Sequence, residues 1–327
     1  MRPLIISLLL AGSLLAQPYG REPLGRGAFG RSTQTAVEAA AWVGILDSLA
    51  ALGEPVLEDS AGAWCLFERL TVDYTGDLAL IRRDSDNEEA PIPYVEATGY
   101  IDLDSLESFL DGTTGACVTL YDQLGSNDLT MATAANQPDI TLAVHGIYPA
   151  LEFLAASAQC LTTAGNALDV STESVTALVV CYSEATGASG FTLITHKATI
   201  GNVSGYGLWI SSTLSAQFFT RKTITLASAV GATTIAGGAN AAWRTLTGTW
   251  ETADDSAKVY LDNGVMDGSA VNTNNNNITV ATKFSMGANT DGTAPLTGRM
   301  VMGGVWTGTQ PTSITRAGIA AHFAGLE

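Results

Sequence analysis

The chain has 327 residues, of which 46% are hydrophobic and only 14% are charged, so it contains enough apolar side chains for a large globular core. Its net charge of −17 argues against general nucleic-acid binding, because phosphate backbones select clusters of lysine and arginine. Abundant glycine, alanine, threonine, serine and asparagine are typical of extracellular β-sandwiches and virion proteins.

The N-terminal residues differ from the rest of the chain in charge. Residues 1–31 contain four arginines and one glutamate, a balance of +3, whereas the remainder contains 11 basic and 31 acidic residues, a balance of −20. The apolar run Leu4–Leu10 after an early arginine fits a secretory signal peptide, and it equally fits an uncleaved arm that docks on a partner. It is too short and interrupted for a membrane span. We predict an apolar and basic arm over residues 1–32.

Four segments predict helices. The clearest is residues 33–52, where apolar residues recur at helical spacing before Gly53 and Pro55 end the pattern. We assign residues 33–60 to this helical segment. Further helices are predicted at residues 61–70, 101–112 and 313–327.

Short β-prone runs make up most of the remaining sequence. Residues 77–83 and the run ACVTLYDQ predict strands, and from residue 145 onward similar runs recur between clusters of Gly, Asn, Thr and Ser. Many short strands at this spacing predict a mostly β chain, an antiparallel β-sandwich or jelly roll with a few short helices and an extended N-terminal arm. We expect this domain to span residues 61–327.

Cysteines and histidines give no support for a zinc site, a redox motif or a catalytic triad. The four cysteines form no CxxC pair, and we expect buried free thiols, with disulfides as the alternative. The three histidines are more than forty residues apart in unrelated contexts. These residues are Cys65, Cys117, Cys160, Cys181, His145, His196 and His322.

Several longer motifs carry a family resemblance. The runs WCLFERL, DYTGDLALIRRDSDNEEAPI, CVTLYDQLGSNDLTMATAANQPDITL and PALEFLAASAQCLTT resemble the catalytic domain of the α-L-arabinofuranosidase B family. The later runs WRTLTGTW, KVYLDNGV and LTGRMVMGGVW are similar to the concanavalin A-like lectin/glucanase and laminin-G group. The resemblance covers residues 61–327 and implies a concanavalin A-like jelly roll. The same modules occur in bacteriophage virion proteins behind a short apolar arm.

The resemblance also implies where catalytic carboxylates belong. A retaining glycosidase needs two of them about 5–5.5 Å apart. The family's nucleophile falls near Gly207, but residues 185–250 contain no Asp or Glu. Its acid falls at MGANTDG, where Asn289 is the nearest equivalent and Asp291 follows. The vicinal cysteine pair of the family is also missing. We therefore predict no catalytic, cofactor or metal residues and a protein that is not an enzyme.

The stretch YDQLGSNDLT predicts a structural turn network. The carboxylate of Asp122 and the Asn127 and Asp128 side chains are suited to bond nearby backbone across a tight loop. Gly125 is expected to adopt a conformation that other residues avoid. We assign these four residues a structural role.

Polar and aromatic residues of the β-rich region provide candidates for ligand binding. Trp209, Asn289 and Asp291 are candidates to face a glycan. Trp243, Trp250 and Trp306 are also candidates to stack on a sugar, although tryptophans at alternating strand positions are commonly core residues. Calcium is a candidate cofactor, with asparagine-rich turns as the alternative explanation. The candidate oxygen ligands are Asp254, Asp255, Asp262, Asn263, Asp267, Asn274–Asn277 and Asp291.

Together these observations predict a non-enzymatic bacteriophage virion structural protein, a tail, fibre or capsid-decoration component. Its expected partners are other virion proteins, bound through residues 1–32, further copies of itself and a host-surface glycan, with no nucleic acid and no membrane span. The alternatives are a secreted arabinofuranosidase-like glycoside hydrolase and a secreted carbohydrate-binding module.

Overall fold

The strands of this chain carry apolar side chains on one face, the pattern that buries one side of a β-sheet. In a computed structural model every strand pairing in the described part of the chain is antiparallel. The predicted antiparallel β-sandwich is thereby confirmed. The structure describes residues 43–51, 61–145, 148–165, 168, 174–184, 190–196, 205–222, 225–235, 242–253, 255–262, 265–271, 283–308 and 313–324.

The described residues lie within one unit, Ala40–Glu327. Residues 1–32, with the predicted arm, fall outside the described part of the chain, as does most of the predicted helical segment 33–60. Of that segment, the structure describes helix α1 (Ile45–Ala50), whose Leu46 and Leu49 are buried.

Seven strands form the first layer of the sandwich. In spatial order they are β16 (Val265–Val271), β15 (Ser256–Leu261), β14 (Trp243–Glu251), β9 (Val175–Ser183), β18 (Gly298–Thr307), β7 (Tyr148–Phe153) and β6 (Asp139–His145). Strand β18 is shared, because β1 (Ala61–Cys65) also pairs along it.

The second layer faces the first. Its strands are β13 (Thr225–Thr234), β12 (Ser215–Lys222), β11 (Gly205–Ile210), β10 (Phe191–His196), β17 (Phe284–Met286), β8 (Leu161–Thr162) and β5 (Leu129–Thr130). Strand β4 (Gly115–Leu120) joins the layers, since it pairs with both β5 and β6. Strands β2 (Ala79–Arg83) and β3 (Glu89–Ile92) continue from β4.

Two further helices match their predictions. Helix α2 (Leu103–Leu110) begins at Asp102, whose carboxylate accepts a hydrogen bond from the Ser105 backbone N–H at 3.1 Å, and it ends at Asp111 in the left-handed conformation. Helix α3 (Ser313–Ala324) follows β18. None of the described helices has the length and apolar character needed to cross a bilayer.

The helix predicted at residues 61–70 is wrong. Residues Ala61–Cys65 form β1, which pairs in continuous register with residues Trp306 to Met302 of β18. A short apolar run has no periodicity that separates helix from strand, so the distant partner β18 decides its conformation.

The core lies between the two layers. Trp64 of β1 stacks on Phe284 of β17 with ring centroids 5.1 Å apart, which joins one layer to the other. The layers approach so closely that a Cβ atom at Gly248 of β14 would lie 2.0 Å from the Phe218 ring of β12. Glycine is therefore required at that point of the interface.

Candidate functional site

The YDQLGSNDLT stretch forms a loop held by two carboxylates. Oδ1 of Asp122 accepts hydrogen bonds from the backbone N–H groups of Ala63 and Leu124, each at 3.0 Å, and its Oδ2 accepts one from the Asn127 N–H at 3.0 Å. The carboxylate of Asp128 accepts from the Asp122 N–H at 2.9 Å. Asp122 is buried, and its oxygens are occupied by backbone donors.

One detail of this loop differs from the sequence-based expectation, because Gly125 is not among the described glycines with a positive φ. The backbone of Asn127 makes a further contact. Its carbonyl accepts the indole N–H of Trp64 at 3.0 Å, which ties the loop to β1.

Gln123 is a structural residue that the sequence analysis missed. Its Oε1 accepts from the Leu70 N–H at 2.7 Å, and its Nε2 donates to the carbonyls of Cys65 and Glu68 at 3.1 and 3.0 Å. The buried amide thus fixes the chain that leaves β1. Glutamine inside a YDQ motif was the available signal.

The three predicted glycan-facing residues lie around Thr192 of β10. Trp209 is directly opposite Thr192 on β11, and the Thr192 hydroxyl donates to Oδ1 of Asn289 at 3.3 Å. Asn289 is completely buried, and its Nδ2 donates to the Thr293 hydroxyl at 2.9 Å. Asp291 is exposed, and its Oδ1 accepts from the backbone N–H and hydroxyl of Thr293. That Trp209 and Asp291 contact a glycan remains a prediction. The buried Asn289 side chain instead forms hydrogen bonds within the protein.

The position expected for a nucleophile has no space for one. A Cβ atom on Gly207 would lie 2.8 Å from the Ile194 carbonyl oxygen, 2.8 Å from the Phe219 ring and 2.9 Å from the Thr195 hydroxyl. Its neighbours across the sheet are Thr195 on β10 and Phe219 on β12. A carboxylate side chain at Gly207 would therefore have to displace these neighbours.

The first layer carries a row of polar and aromatic side chains, of which the sequence analysis named only Trp243 as a candidate. We call it the cross-strand row, and its members are in register on five adjacent strands. The residues next to the row along the same strands, such as Ile140, Leu151 and Met300, belong to the buried core. Because successive side chains of a strand point to opposite faces of the sheet, the row faces away from the core. In order, the row consists of Asp139, Glu152, Arg299, Tyr182 and Trp243.

Arg299 is the centre of the row. Its Nη2 lies 3.1 Å from Oε1 of Glu152, and its Nη1 lies 3.1 Å from Oε1 of Glu184. Its guanidinium carbon lies 5.7 Å from the centroid of the Tyr182 ring, and the centroid of Trp243 lies 5.9 Å from that of Tyr182. The row therefore combines charged groups with a pair of partly exposed aromatic rings.

Asp139 and Glu152 are two carboxyl groups in unlike surroundings. Burial raises the pKa of the Asp139 carboxyl, and the negative charges of Asp84 and Glu152 raise it further. A hydrogen bond from Gln159 and the positive charge of Arg82 lower this pKa, but the net direction is upward. Glu152 contacts the Arg299 guanidinium, and its Oε2 accepts the Thr141 hydroxyl at 2.7 Å. Side chains directly opposite in an antiparallel pair have Cβ atoms about 4.5–5.5 Å apart. The register of the β6–β7 hairpin brings the Asp139 and Glu152 carboxyl groups together, and this register is not evident from the sequence.

The described residues contain no cluster of three His, Cys, Asp or Glu side chains arranged to hold a metal ion. Among the calcium candidates, Asp262 contacts Arg244 at 2.8 Å and Asp267 accepts from Thr233, while Asp254, Asn263 and Asn274–Asn277 lie outside the described residues. Calcium thus stays a prediction. All four cysteines are buried free thiols, as predicted.

Part of the chain matches a known family model, and its fold resembles those of solved structures. A family model described as "Alpha-L-arabinofuranosidase B, catalytic" matches residues 57–150, which include β1 to β6 and Asp139. No curated protein matches the chain significantly. Among solved structures, a mutant GH54 α-L-arabinofuranosidase soaked with 4-nitrophenyl α-L-arabinofuranoside superposes with a TM-score of 0.63 at 16% identity, over 87% of this chain and 65% of that one.

Two further structures agree. A GH54 α-L-arabinofuranosidase soaked with a cyclic sulfate inhibitor gives a TM-score of 0.61, and an arabinofuranosidase complexed with arabinofuranosyl-α-1,2-xylobiose gives 0.60. Each is 16% identical and matches 87% of this chain. The chain spans only 65% of the length of these relatives.

These matches overturn the prediction of a non-enzymatic virion structural protein. The matching family model describes a catalytic domain, and the superposed structures are arabinofuranosidases, so a virion, capsid or tail-fibre assignment has no support. The prediction failed because it judged three expected features, a carboxylate near Gly207, an acid at Asn289 and a vicinal cysteine pair, and their absence does not exclude carboxylates elsewhere on the sandwich. The chain contains a glycoside-hydrolase-like β domain.

Proposed function

We propose that the chain is a secreted glycoside hydrolase domain that cleaves α-L-arabinofuranosides. The observation that carries the proposal is the match of residues 57–150 to an arabinofuranosidase catalytic model. The antiparallel sandwich and its superposition on arabinofuranosidases support it. Secretion is the reading of the arginine-led apolar N-terminus that agrees with this activity.

The carboxyl pair of the cross-strand row supplies the groups that such a reaction needs. Asp139, with its raised pKa, is suited to donate a proton, and Glu152 beside Arg299 is suited to attack. Two carboxyl groups on directly opposite residues are compatible with the separation of about 5–5.5 Å used by retaining enzymes. Pairs of carboxyl groups with unlike environments are a recurring source of acid and nucleophile roles.

In the proposed reaction, a Glu152 oxygen forms a bond to the anomeric carbon while the glycosidic C–O bond breaks. Asp139 gives its proton to the departing oxygen, which leaves as an alcohol. Asp139, now a carboxylate, then takes a proton from water as the water oxygen attacks the anomeric carbon and Glu152 departs. The product is arabinose with retained configuration, and both side chains return to their starting states.

The remaining members of the row are suited to hold the sugar. Tyr182 and Trp243 offer aromatic faces that pack on the apolar side of a sugar ring. Arg299 holds Glu152 in place through its guanidinium and also contacts Glu184, so the orientation of the attacking group depends on it.

The test is release of 4-nitrophenol from 4-nitrophenyl α-L-arabinofuranoside by the full chain. We expect turnover in the wild type and a loss of at least about 100-fold in Asp139→Asn and Glu152→Gln. Glu96→Gln is a surface control that should retain activity, because that carboxylate is 80% exposed and lies on none of the five strands that carry the row.

Three outcomes would contradict the proposal in different ways. A folded wild type that binds arabino-oligosaccharides by calorimetry but never hydrolyses them would refute the hydrolase activity. Full activity in both Asp139→Asn and Glu152→Gln would refute the residue assignment alone. Loss of activity in Asp291→Asn, with the row variants intact, would move the chemistry to the loop beside Thr192.

A further inference from the structure

Among the described residues, the most deeply buried carboxylate is that of Glu68, which follows β1. Its side chain is 2% exposed, and both of its oxygens contact the imidazole of His322 on helix α3, at 2.8 and 3.0 Å from Nε2. A buried carboxylate is costly unless it is paired and hydrogen-bonded. The two residues are 254 positions apart in sequence, so this contact ties α3 to the β1 segment.

The groups around Glu68 leave His322 as its titrating partner. Tyr100 pairs with the Glu68 backbone, and the Tyr100 and Tyr148 rings lie 4.9 Å apart. Burial raises the pKa of both phenols and of the Cys65 thiol, and the Glu68 charge raises all three further. These three groups therefore stay neutral through the physiological range.

The neighbouring charges on the other elements are engaged elsewhere. Arg69 contacts Glu96 at 3.2 Å and lies over the Tyr94 ring, and Arg316 of α3 lies over the Tyr260 ring of β15. Asp47 of α1 accepts the Val72 backbone N–H. Among the described neighbours of Glu68, His322 is the group that changes charge near neutral pH.

Apolar contacts also hold helix α3, whose Ile319 and Phe323 are buried. Phe323 packs edge-to-face on Phe67 with centroids 5.7 Å apart, and Phe67 in turn stacks on Tyr148 at 5.0 Å. Toward its start, α3 approaches α1 so closely that a Cβ atom at Gly318 would lie 2.8 Å from a methyl group of Leu49. Helix α3 thus packs against α1, β15 and the segment after β1, and the ion pair joins it to that segment.

We propose that Glu68 and His322 form a pH-sensitive latch that fastens helix α3 to the β-sandwich when His322 is protonated and loosens it when His322 is neutral. Burial of the imidazole lowers its pKa, but the charge and hydrogen bond of Glu68 outweigh this, so the folded pKa lies above the ordinary value of 6.5. A raised folded pKa adds stability that is fully present below about pH 6.5 and is lost as pH rises through the folded pKa. The latch is independent of the proposed hydrolase activity.

The first test is an NMR titration of the His322 imidazole in the full chain. The wild-type pKa should lie above 6.5, and in Glu68→Gln it should fall below 6.5, because burial remains while the attracting charge is gone. Glu107→Gln, which removes an exposed carboxylate on helix α2, should leave the titration unchanged. A wild-type pKa at or below 6.5 would overturn the proposal.

The second test measures docking of the helix itself. Amide hydrogen exchange of residues 313–324, corrected for the intrinsic pH dependence, should show greater protection at pH 6 than at pH 8.5. The change should approach about tenfold for each unit by which the folded pKa exceeds the unfolded one. In His322→Gln the protection should be equal at both pH values. Equal protection in the wild type, or an unchanged pH dependence in His322→Gln, would refute the latch.

Discussion

Replacement of Asp122 by asparagine tests whether the YDQLGSNDLT loop is structural. Asp122 is 3% exposed and accepts three backbone N–H groups, two on Oδ1 and one on Oδ2. In Asp122→Asn one carboxylate oxygen becomes an NH₂ group, which faces the Asn127 N–H and cannot accept from it. Loss of one hydrogen bond to a charged group costs about 1.5–3 kcal/mol, and a buried unpaired donor adds to this. We expect a decrease of about 2–4 kcal/mol in the free energy of unfolding.

The assay is equilibrium unfolding in urea at pH 7, followed by tryptophan emission. Trp64 is a suitable reporter because its indole N–H donates to the Asn127 carbonyl within the same loop. For a domain of this size the expected loss lowers Tm by about 3–7 °C. Glu107→Gln, an exposed position on α2, is the control and should change stability by less than about 0.5 kcal/mol. If Asp122→Asn matches that control, the loop does not depend on its carboxylate and the reasoning is refuted.

Three further substitutions test other parts of the fold. Gly248→Ala should destabilise by about 1–3 kcal/mol in the same urea assay, because its Cβ would lie 2.0 Å from Phe218, whereas Gly165→Ala, with no atom within 4 Å, should be nearly neutral. Asp139→Asn should be at least as stable as the wild type at pH 7, because the raised pKa of Asp139 means that folding disfavours its charged form. This gain in stability should vanish as the pH falls below the ordinary pKa of an aspartate. A clear loss of stability at pH 7 would contradict the prediction. Arg299→Met should lower the midpoint of thermal unfolding more than Arg299→Lys, because methionine cannot form the ion pairs with Glu152 and Glu184. Equal midpoints in the two variants would show that these ion pairs do not stabilise the fold.

Local signals in the sequence predict much of the fold. Helix α2 is recognisable because Asp102 caps it and its apolar residues share one face, and both features lie within a dozen residues. Strand β2 and helix α3 are found in the same way. In contrast, β1 was predicted as a helix, because its conformation is decided by β18, which lies far away in the sequence.

The candidate site is harder to predict, because it depends on register between strands. Asp139 and Glu152 read as ordinary outward-facing residues of two short strands until the β6–β7 pairing places them opposite each other. The same holds for Arg299 and Tyr182, which meet only when β18 pairs with β9. Asn289 was expected to face a glycan, but the Thr192 hydroxyl and the 289–293 loop enclose it.

The shared strand β18 has a consequence for synthesis on the ribosome. It pairs with β1, β7 and β9, all of which are translated well before it. Until β18 emerges, these three strands expose unpaired edges and apolar faces to the cytoplasm or the export machinery, and pairing over such long sequence separations is slow. Nascent chains that stop short of β18 should therefore require chaperones to avoid aggregation.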